Sequence, residues 1–232
     1  MQILPDRRIE GLSAEGVALA TLVAAAPRLA GARFVDCRFE RCDLSDLDLH
    51  QAEFENCELS ACRFDKSDLS EARFSNVRAL KTRFIGVKAT QAVFQNGNLS
   101  NTEWSGANLT SAVFKDCKLT GANFQGASTA AVDFEDCRLN GAYARGFYFR
   151  KQTLRGLDFA EADLASCDFR DAQLLDCSLR GASLRGARFE GADLRACDLG
   201  NLTLAEAAML RKAIISKDQA ADLLMGVGLI VR

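Results

Sequence analysis

Every position whose number ends in 4 or 9, from Phe34 to Leu204, is Phe, Leu, Trp, Ala or Thr. These are 35 consecutive positions at a spacing of five, and 31 of them are Phe, Leu or Trp. Two residues upstream, the numbers ending in 2 or 7 are mostly Ala or Cys, and all nine cysteines fall in this phase. A spacing of five suits neither a helix, with its period of 3.6, nor a flat strand, with its period of 2. It describes a coil in which two of every five residues point inward before the chain turns.

The number of sides per coil also follows from the residues. Phe34, Phe54, Phe74, Phe94, Phe114 and Phe134 recur every 20 residues, as do the pairs Cys37/Cys57, Cys42/Cys62, Cys117/Cys137 and Cys177/Cys197. Between Phe54 and Leu139 aromatics keep to numbers ending in 4, and Leu, Ala and Thr to those ending in 9. Such alternation needs an even number of sides, so four sides of five residues fit and three do not. The expected fold is an all-β, four-sided solenoid of about nine coils, roughly 40 Å long at about 4.8 Å per rung. A repeat this short buries its apolar residues only by stacking, so the coils form one cooperative unit.

The flanks read differently, giving three regions: an N-terminal helical cap at 1–31, the repeat at 32–214, and a C-terminal helix with a short strand at 215–232. The apolar run Val17–Ala26 has some likeness to the core of a signal peptide. Asp6, Glu10 and Glu15 precede it, however, where a signal peptide has positive charge. The run is read as a short helix with Ser13 as N-cap, ending near Pro27 and covering the open edge of the first coil. No apolar run approaches the 18 residues of a membrane span.

Beyond Leu204 the phase holds at Met209 and Ile214 and then stops. Ser216 reads as an N-cap with Asp218 in the first turn of a helix over Gln219–Met225. Gly226 and Gly228 break that helix, and Leu229, Ile230 and Val231 read as a short strand. The segment serves as a lid on the last coil or as a dimer seam. The seam would use Leu223, Leu224, Met225, Val227, Leu229 and Ile230.

Composition sets limits on function. Hydrophobic residues make up 48% of the chain, yet mean hydropathy is −0.04, because three of every five repeat residues face water. Between positions 31 and 191, eleven of the 17 glycines take numbers ending in 1 or 6, the corner phase. A net charge of −2 argues against a basic nucleic-acid clamp. The cysteines read as small buried hydrophobes, reduced in a cytoplasm, although stacked cysteines would lie within disulfide range. One histidine and no Cys-x-x-Cys leave no zinc ligand set. That histidine, His50, falls in an outward turn phase, and no nucleophile–base spacing or phosphate loop occurs. The chain is therefore read as a non-enzymatic protein without cofactor, metal, small-molecule substrate, membrane contact or direct nucleic-acid contact.

Two surface features stand out. The face bearing Phe34, Phe54 and Phe74 has nine outward acids and five bases, whereas the other three faces sum to +2, −1 and 0. Its acids include Glu53, Glu55, Asp116, Asp133, Glu135, Asp136, Asp176 and Asp193, with Arg73, Arg155 and Arg195 interrupting the stripe. Acids held in a line suit a basic DNA channel; they also suit an ordinary solvated face. The second feature is the irregular coil Ala142–Gln152. There Phe147 takes an inward position usually held by Ala or Cys, beside Ala144 where Leu or Phe is usual. This pairing suggests volume compensation. Tyr143, Arg145, Tyr148 and Arg150 point outward from it, either as a contact site or as the surface of a repacking seam.

Units such as Ala-Asp-Leu-Arg-Ala at 192–196 and Ala-Asn-Leu-Thr-Ser at 107–111 resemble the pentapeptide repeat family. The resemblance covers 32–204 and implies a right-handed quadrilateral β-helix. Narrower stretches resemble the Qnr-type quinolone-resistance proteins: Phe74-Ser-Asn-Val-Arg-Ala-Leu80 with its continuation through Lys88-Ala89 to Phe94, then Leu199–Leu204, and Gln219–Met225. Ala79 and Ala89 fall where those proteins also break the Leu/Phe rule. That resemblance implies a DNA-mimicking homodimer that binds DNA gyrase and topoisomerase IV and relieves quinolone poisoning. Gram-negative Qnr proteins interrupt their coils with two outward loops. The unbroken register from Phe34 to Leu204 has no room for them, which brings the chain closer to loopless relatives, including mycobacterial gyrase-binding inhibitors. A scaffold or regulatory protein-binding module is the alternative.

Overall fold

The structure, a computed structural model, describes residues 8–19, 29–226 and 228–231. The chain divides into two compact units, Met1–Asp133 and Phe134–Arg232.

The first unit is a parallel β-solenoid. Its strands are β1 (Arg8–Glu10), β2 (Ser13–Glu15), β3 (Arg33–Val35), β4 (Arg38–Glu40), β5 (Glu53–Glu55), β6 (Arg73–Ser75), β7 (Val93–Gln95) and β8 (Val113–Lys115). From β3 to β8 the face pairs in register at 20 residues, setting Phe34 on Phe54, Phe74, Phe94 and Phe114 in turn. Single bridges such as Glu58↔Arg78, Arg63↔Arg83 and Asp68↔Lys88 repeat the offset on the other three sides. Four sides of five residues therefore close one coil.

Each corner solves a backbone problem. The residue numbered 1 or 6 takes a left-handed conformation: φ is 64° at Gly86, but also 56° at Ala61 and 60° at Lys66. A left-handed residue with a Cβ costs about 1–2 kcal/mol. Hydrogen bonds offset this. Ala52 N donates to Leu49 O across the turn at 2.9 Å, and Gln51 N donates to Ser70 O of the next rung at 2.9 Å. Corner side chains also stack, as Asn56 Nδ2 donates to Asp36 Oδ1 and Asn76 Nδ2 to Asn56 Oδ1, each at 3.2 Å.

The interior follows from the phase. Two aromatic columns meet at right angles. Phe34, Phe54, Phe74, Phe94 and Phe114 stack with centroids 4.6–4.8 Å apart. Phe64, Phe84, Trp104 and Phe124 form the second column and meet the first edge-on. Trp104 is fully buried, and its indole N–H donates to Thr102 Oγ1 at 2.8 Å. All nine cysteines are buried, as their phase predicts, and none is in a disulfide.

The N-terminal segment corrects the sequence reading. Ser13–Glu15 is strand, not the start of a helix; it pairs with β4, while β1 pairs with β3 and Ala18 bridges Asp43. Ile9 and Leu19 are buried in the same phase as Phe34, so the solenoid begins upstream of residue 32. The offset here is 25, as in Ile9↔Phe34, against 20 thereafter. The rest of the expected helix, at 20–28, lies outside the described residues.

The second unit is itself a coil of the same geometry, with β9 (Asp133–Glu135) at its boundary and then β10 (Thr153–Arg155), β11 (Gln173–Ser178) and β12 (Asp193–Asp198). Its aromatic column is Phe149, Phe169 and Phe189. Phe147 is buried against Phe134 and Phe149, and Ala144 is fully buried. Two helices follow: α1 (Leu204–Ala207) and, after a 3-10 turn at Ala208–Leu210, α2 (Lys217–Gly226).

Between these helices Ile214 bridges Asp193 and so adds a partial rung. Yet Met209 and Ile214 are exposed and Leu210 is buried instead, so the inward phase does not persist there. Leu229, Ile230 and Val231 form no strand. They are exposed, and no ladder partner exists for them among the described residues.

Candidate protein-binding face

The acids of the Phe34 face do not share one environment. In the first unit, Arg33 Nε lies 2.6 Å from Glu53, and the other end of the same guanidinium lies 3.8 Å from Glu55. One arginine thus pairs closely with Glu53 and more loosely with Glu55, leaving the cluster one negative charge. Asp116 and Asp133 are outward, and among the described residues neither has an ion pair.

In the second unit Asp193 is a turn residue. Its Oδ1 accepts from Arg195 N at 3.1 Å and from Arg195 Nε at 2.9 Å, and these bonds hold its carboxyl below the usual range. Asp136 and Asp176 are exposed corner residues without an ion pair among the described residues. They stand in one column with Gly156 between them. A Cβ at Gly156 would collide with the Asp136 carboxylate, so glycine makes room for that side chain. Glu135, between Asp133 and Asp136, is half-buried. The structure thus separates seven of the eight acids, all but half-buried Glu135, into fixed pairs and turns (Glu53, Glu55, Asp193) and outward groups (Asp116, Asp133, Asp136, Asp176).

The Asp193 arrangement recurs through both units. At the position before the central apolar residue, an Asp or Asn oxygen accepts the N–H two residues on, as in Asp43, Asp68, Asn98, Asn108, Asn123, Asp158, Asp163 and Asp168. This is the Asx turn, and it explains why short side chains with an oxygen dominate there. Asp43, Asp68 and Asp168 are held below the ordinary carboxylate range. In Asp43 and Asp168 the bond to Ser45 or Arg170 leads; in Asp68 desolvation is the largest single influence and opposes the shift, and bonds to Ser70 together with the charges of Lys88 and His50 overcome it. Much of the acidic content is therefore architecture. The regular Asp-Leu and Asn-Leu units signalled this, but summing charge by face hid it.

The irregular coil is similarly tied down. Arg145 pairs with Asp163 at 2.7 Å and lies over the Tyr143 ring at 4.8 Å. Arg150 is 3.7 Å from Asp171. Tyr148 alone among the four is an open aromatic, 51% exposed. At this coil the structure brings together Tyr143, Arg145 and Asp163 as one locked cluster.

The C-terminal residues sit over the last rung. Ser216 and Gln219 form a capping box: Gln219 N donates to Ser216 Oγ, and Ser216 N donates to Gln219 Oε1. The amide nitrogen of Gln219 then donates to Leu194 O at 2.8 Å and to Cys197 O at 2.7 Å. One side chain thus starts α2 and occupies two carbonyls of the last full rung. The Ser-x-x-Gln spacing was the available signal for this role. A cavity of about 700 Å³ lies beneath α2, lined by Leu199, Leu202, Leu223 and Met225 among others. Leu223 is half-buried, while Leu224, Met225, Leu229 and Ile230 are exposed. Val227 lies outside the described residues.

Among the described residues no cluster of three metal-ligating side chains occurs, and no helix is long and apolar enough to cross a membrane.

Comparison with known proteins agrees with this architecture. No curated protein matches the chain by sequence. Among solved structures, full-length QnrB1, a plasmid-mediated fluoroquinolone resistance protein, superposes with a TM-score of 0.65 at 20% identity, covering 96% of this chain and 100% of that one. A trypsin-treated QnrB1 variant gives 0.66 at 20% identity, covering 96% and 99%. At this identity the likeness shows the fold. The family described as pentapeptide repeat region matches residues 32–93, 47–124 and 87–164. The family of eight-copy pentapeptide repeats matches 162–201 and 172–209. With most of its length covered by these matches and its coils built as described above, the chain belongs to the pentapeptide repeat family.

Proposed function

We propose that the protein is a cytoplasmic, non-enzymatic homodimer that binds a type II topoisomerase, DNA gyrase or topoisomerase IV, in place of duplex DNA. Binding would modulate the enzyme or protect it from quinolones or other poisons, giving resistance or self-immunity. The observation behind this reading is the set of outward acids without ion pairs, Asp116, Asp133, Asp136 and Asp176, fixed by strand and corner geometry. The Qnr-like stretches at Phe74–Phe94 and in the tail support it, as does the fold shared with QnrB1. Rigid carboxylates steer a basic channel toward them and cost little ordering on binding.

The test is a gyrase supercoiling and binding assay with purified protein, with and without ciprofloxacin. Reversing Asp133, Glu135 and Asp136 to lysine should weaken binding, and the loss should shrink with salt, because exposed charges are screened beyond about 8 Å at physiological ionic strength. A triple variant that binds like the parent across salt refutes mimicry through these acids. Light scattering should give a dimer at micromolar concentration, since Leu224, Met225, Leu229 and Ile230 are exposed in the single chain. A monomer refutes the seam.

A second reading has its own support. Arg33 pairs with Glu53 and lies near Glu55, and Arg195 pairs with Asp193, as on an ordinary solvated scaffold face. A parent protein that does not bind gyrase would establish this reading in place of the first.

A further inference from the structure

The chain holds two Asn-Gly pairs, Asn96-Gly97 and Asn140-Gly141, and the fold treats them differently. Asn96 is an exposed corner residue in the left-handed conformation, with φ at 53°. Its backbone N donates to Lys115 O at 3.0 Å, and Gly97 O accepts from Lys118 N at 2.8 Å. Among the described residues, however, Gly97 N has no acceptor and the Asn96 side chain has no hydrogen bond. The two asparagines before it in the column are tied down, Asn56 to Asp36 and Asn76 to Asn56, and they precede Cys57 and Val77 rather than glycine. At the second pair both groups are occupied. Asn140 Nδ2 donates to an Asp158 oxygen, and Gly141 N donates to Ala160 O at 2.8 Å.

Gly97 has no packing role that requires glycine. Between positions 31 and 191 it is the one glycine in the inward phase rather than at a corner, and its backbone is not left-handed. A Cβ there would come no closer than 3.4 Å to Val77 Cγ2, and Val77 and Cys117 fill the same position one rung to either side. What glycine does supply is a backbone nitrogen with no Cβ beside it.

We propose that Asn96 is a self-modification site, which deamidates through Gly97 and so lengthens the acidic corner column. Gly97 N gives up its proton to solvent hydroxide and attacks Asn96 Cγ. The new N–C bond closes a succinimide ring, and the side-chain nitrogen leaves as ammonia with a proton from water. A water molecule then opens the ring, and Gly97 N regains its proton. Addition at Cγ gives aspartate; addition at the main-chain carbonyl gives isoaspartate. Asparagine and water thus give a carboxylate and ammonium. The new carboxylate stands one rung from Asp116 in the same column. Added negative charge at this corner is relevant to a topoisomerase only if the function proposed above holds; the reaction itself does not depend on it.

The experiment incubates purified full-length protein in mildly alkaline buffer and follows ion-exchange chromatography, intact mass and a peptide map. The expected product is more acidic by one charge, carries OH in place of NH2, and maps to Asn96 while Asn140 stays intact. In urea, where Gly141 N is released from Ala160, both pairs should react. Gly97→Ala should lose the acidic product in the folded state. Alanine is tolerated there, because Ala92, Ala107 and Ala112 fill the same inward phase, and a thermal melt beside the parent checks it. Reaction first at Asn140, Asn56 or Asn76 would overturn the proposal. So would an Asn96 that stays intact in folded protein while the urea-unfolded chain reacts, or an undiminished product in Gly97→Ala. The readout is the peptide itself, so failure here is distinct from failure to bind gyrase.

Discussion

Replacing Phe94 by alanine tests the four-sided register at its centre. The ring is fully buried. It stacks on Phe74 at 4.6 Å and on Phe114 at 4.8 Å, and it meets Phe84 and Trp104 edge-on at 6.2 and 5.2 Å. Losing the burial of a phenylalanine costs about 1.5–3 kcal/mol in transfer free energy. The cavity adds to this at roughly 24 cal/mol per Å³ that does not collapse. Collapse should be limited here, because the rungs on both sides are held by backbone ladders. Val93 N, for example, donates to Ala72 O of the rung before, and Val113 N to Ala92 O from the rung after. The sum falls in the 3–5 kcal/mol typical of buried Phe→Ala changes. For a chain of this size that lowers the melting temperature by about 6–20 °C. Thermal and urea unfolding of the variant beside Gln95→Ala measures it. Gln95 is exposed on the same strand, and its loss should stay within about 0.5 kcal/mol. If Phe94→Ala melts with the parent, the inward phase and the stacking argument are both wrong.

The remaining predictions concern turns and the C-terminal cap. Asp168→Asn keeps the Asx bond that Asn98, Asn108 and Asn123 make but loses the ion pair with Arg170, so neutral-pH stability should fall by about 0.2–1 kcal/mol. Asp168 is held below its ordinary 3.8 by Arg170. Its stabilisation is therefore present above the unfolded value and lost as pH falls through the lower folded value, so Asp168→Asn should flatten the acid limb of a stability–pH curve. Gln219→Ala removes a cap and leaves two carbonyls unpaired, which should cost the C-terminal segment roughly 2–4 kcal/mol. Hydrogen exchange should quicken over Lys217–Gly226, and it should stay unchanged in the exposed variant Asp222→Ala.

Most of the fold was legible because the repeat is a physical constraint as well as a pattern. Phase assigned Phe94, Trp104 and Cys57 to the interior, and the interval of 20 fixed which residues stack. The ends were less legible, for a definite reason. Ile9, Ala14 and Leu19 keep the phase, but the apolar run after them looks helical, and Ser13 is as good a residue in a turn as at an N-cap. At Ser13–Glu15 the helix reading gave way to a strand, because the open edges of β3 and β4 offer a ladder to β1 and β2. At the other end the capping residues Ser216 and Gln219 gave the start of α2 correctly. Leu229–Val231 had strand composition, but no partner edge, and the ladder is what makes a strand.

The candidate face was harder to read because its charges interact along columns rather than across a face. A sum over the Phe34 face treats Glu53 and Asp136 as equal acids. Read by the interval of 20, Glu53 has Arg33 and Arg73 as its in-register neighbours, and Arg33 is within ion-pair distance. The corner columns differ. Asp36 is followed by Asn56, Asn76 and Asn96, and Asp136 is separated from Asp176 by Gly156. Amide and glycine neighbours leave corner carboxylates unneutralised, while the left-handed backbone keeps them pointing outward. A partner that reads negative charge on this protein must therefore engage the corner positions first, with Asp133 the unpaired acid of the adjoining strand and Glu53, Glu55 and Asp193 occupied in holding the coil.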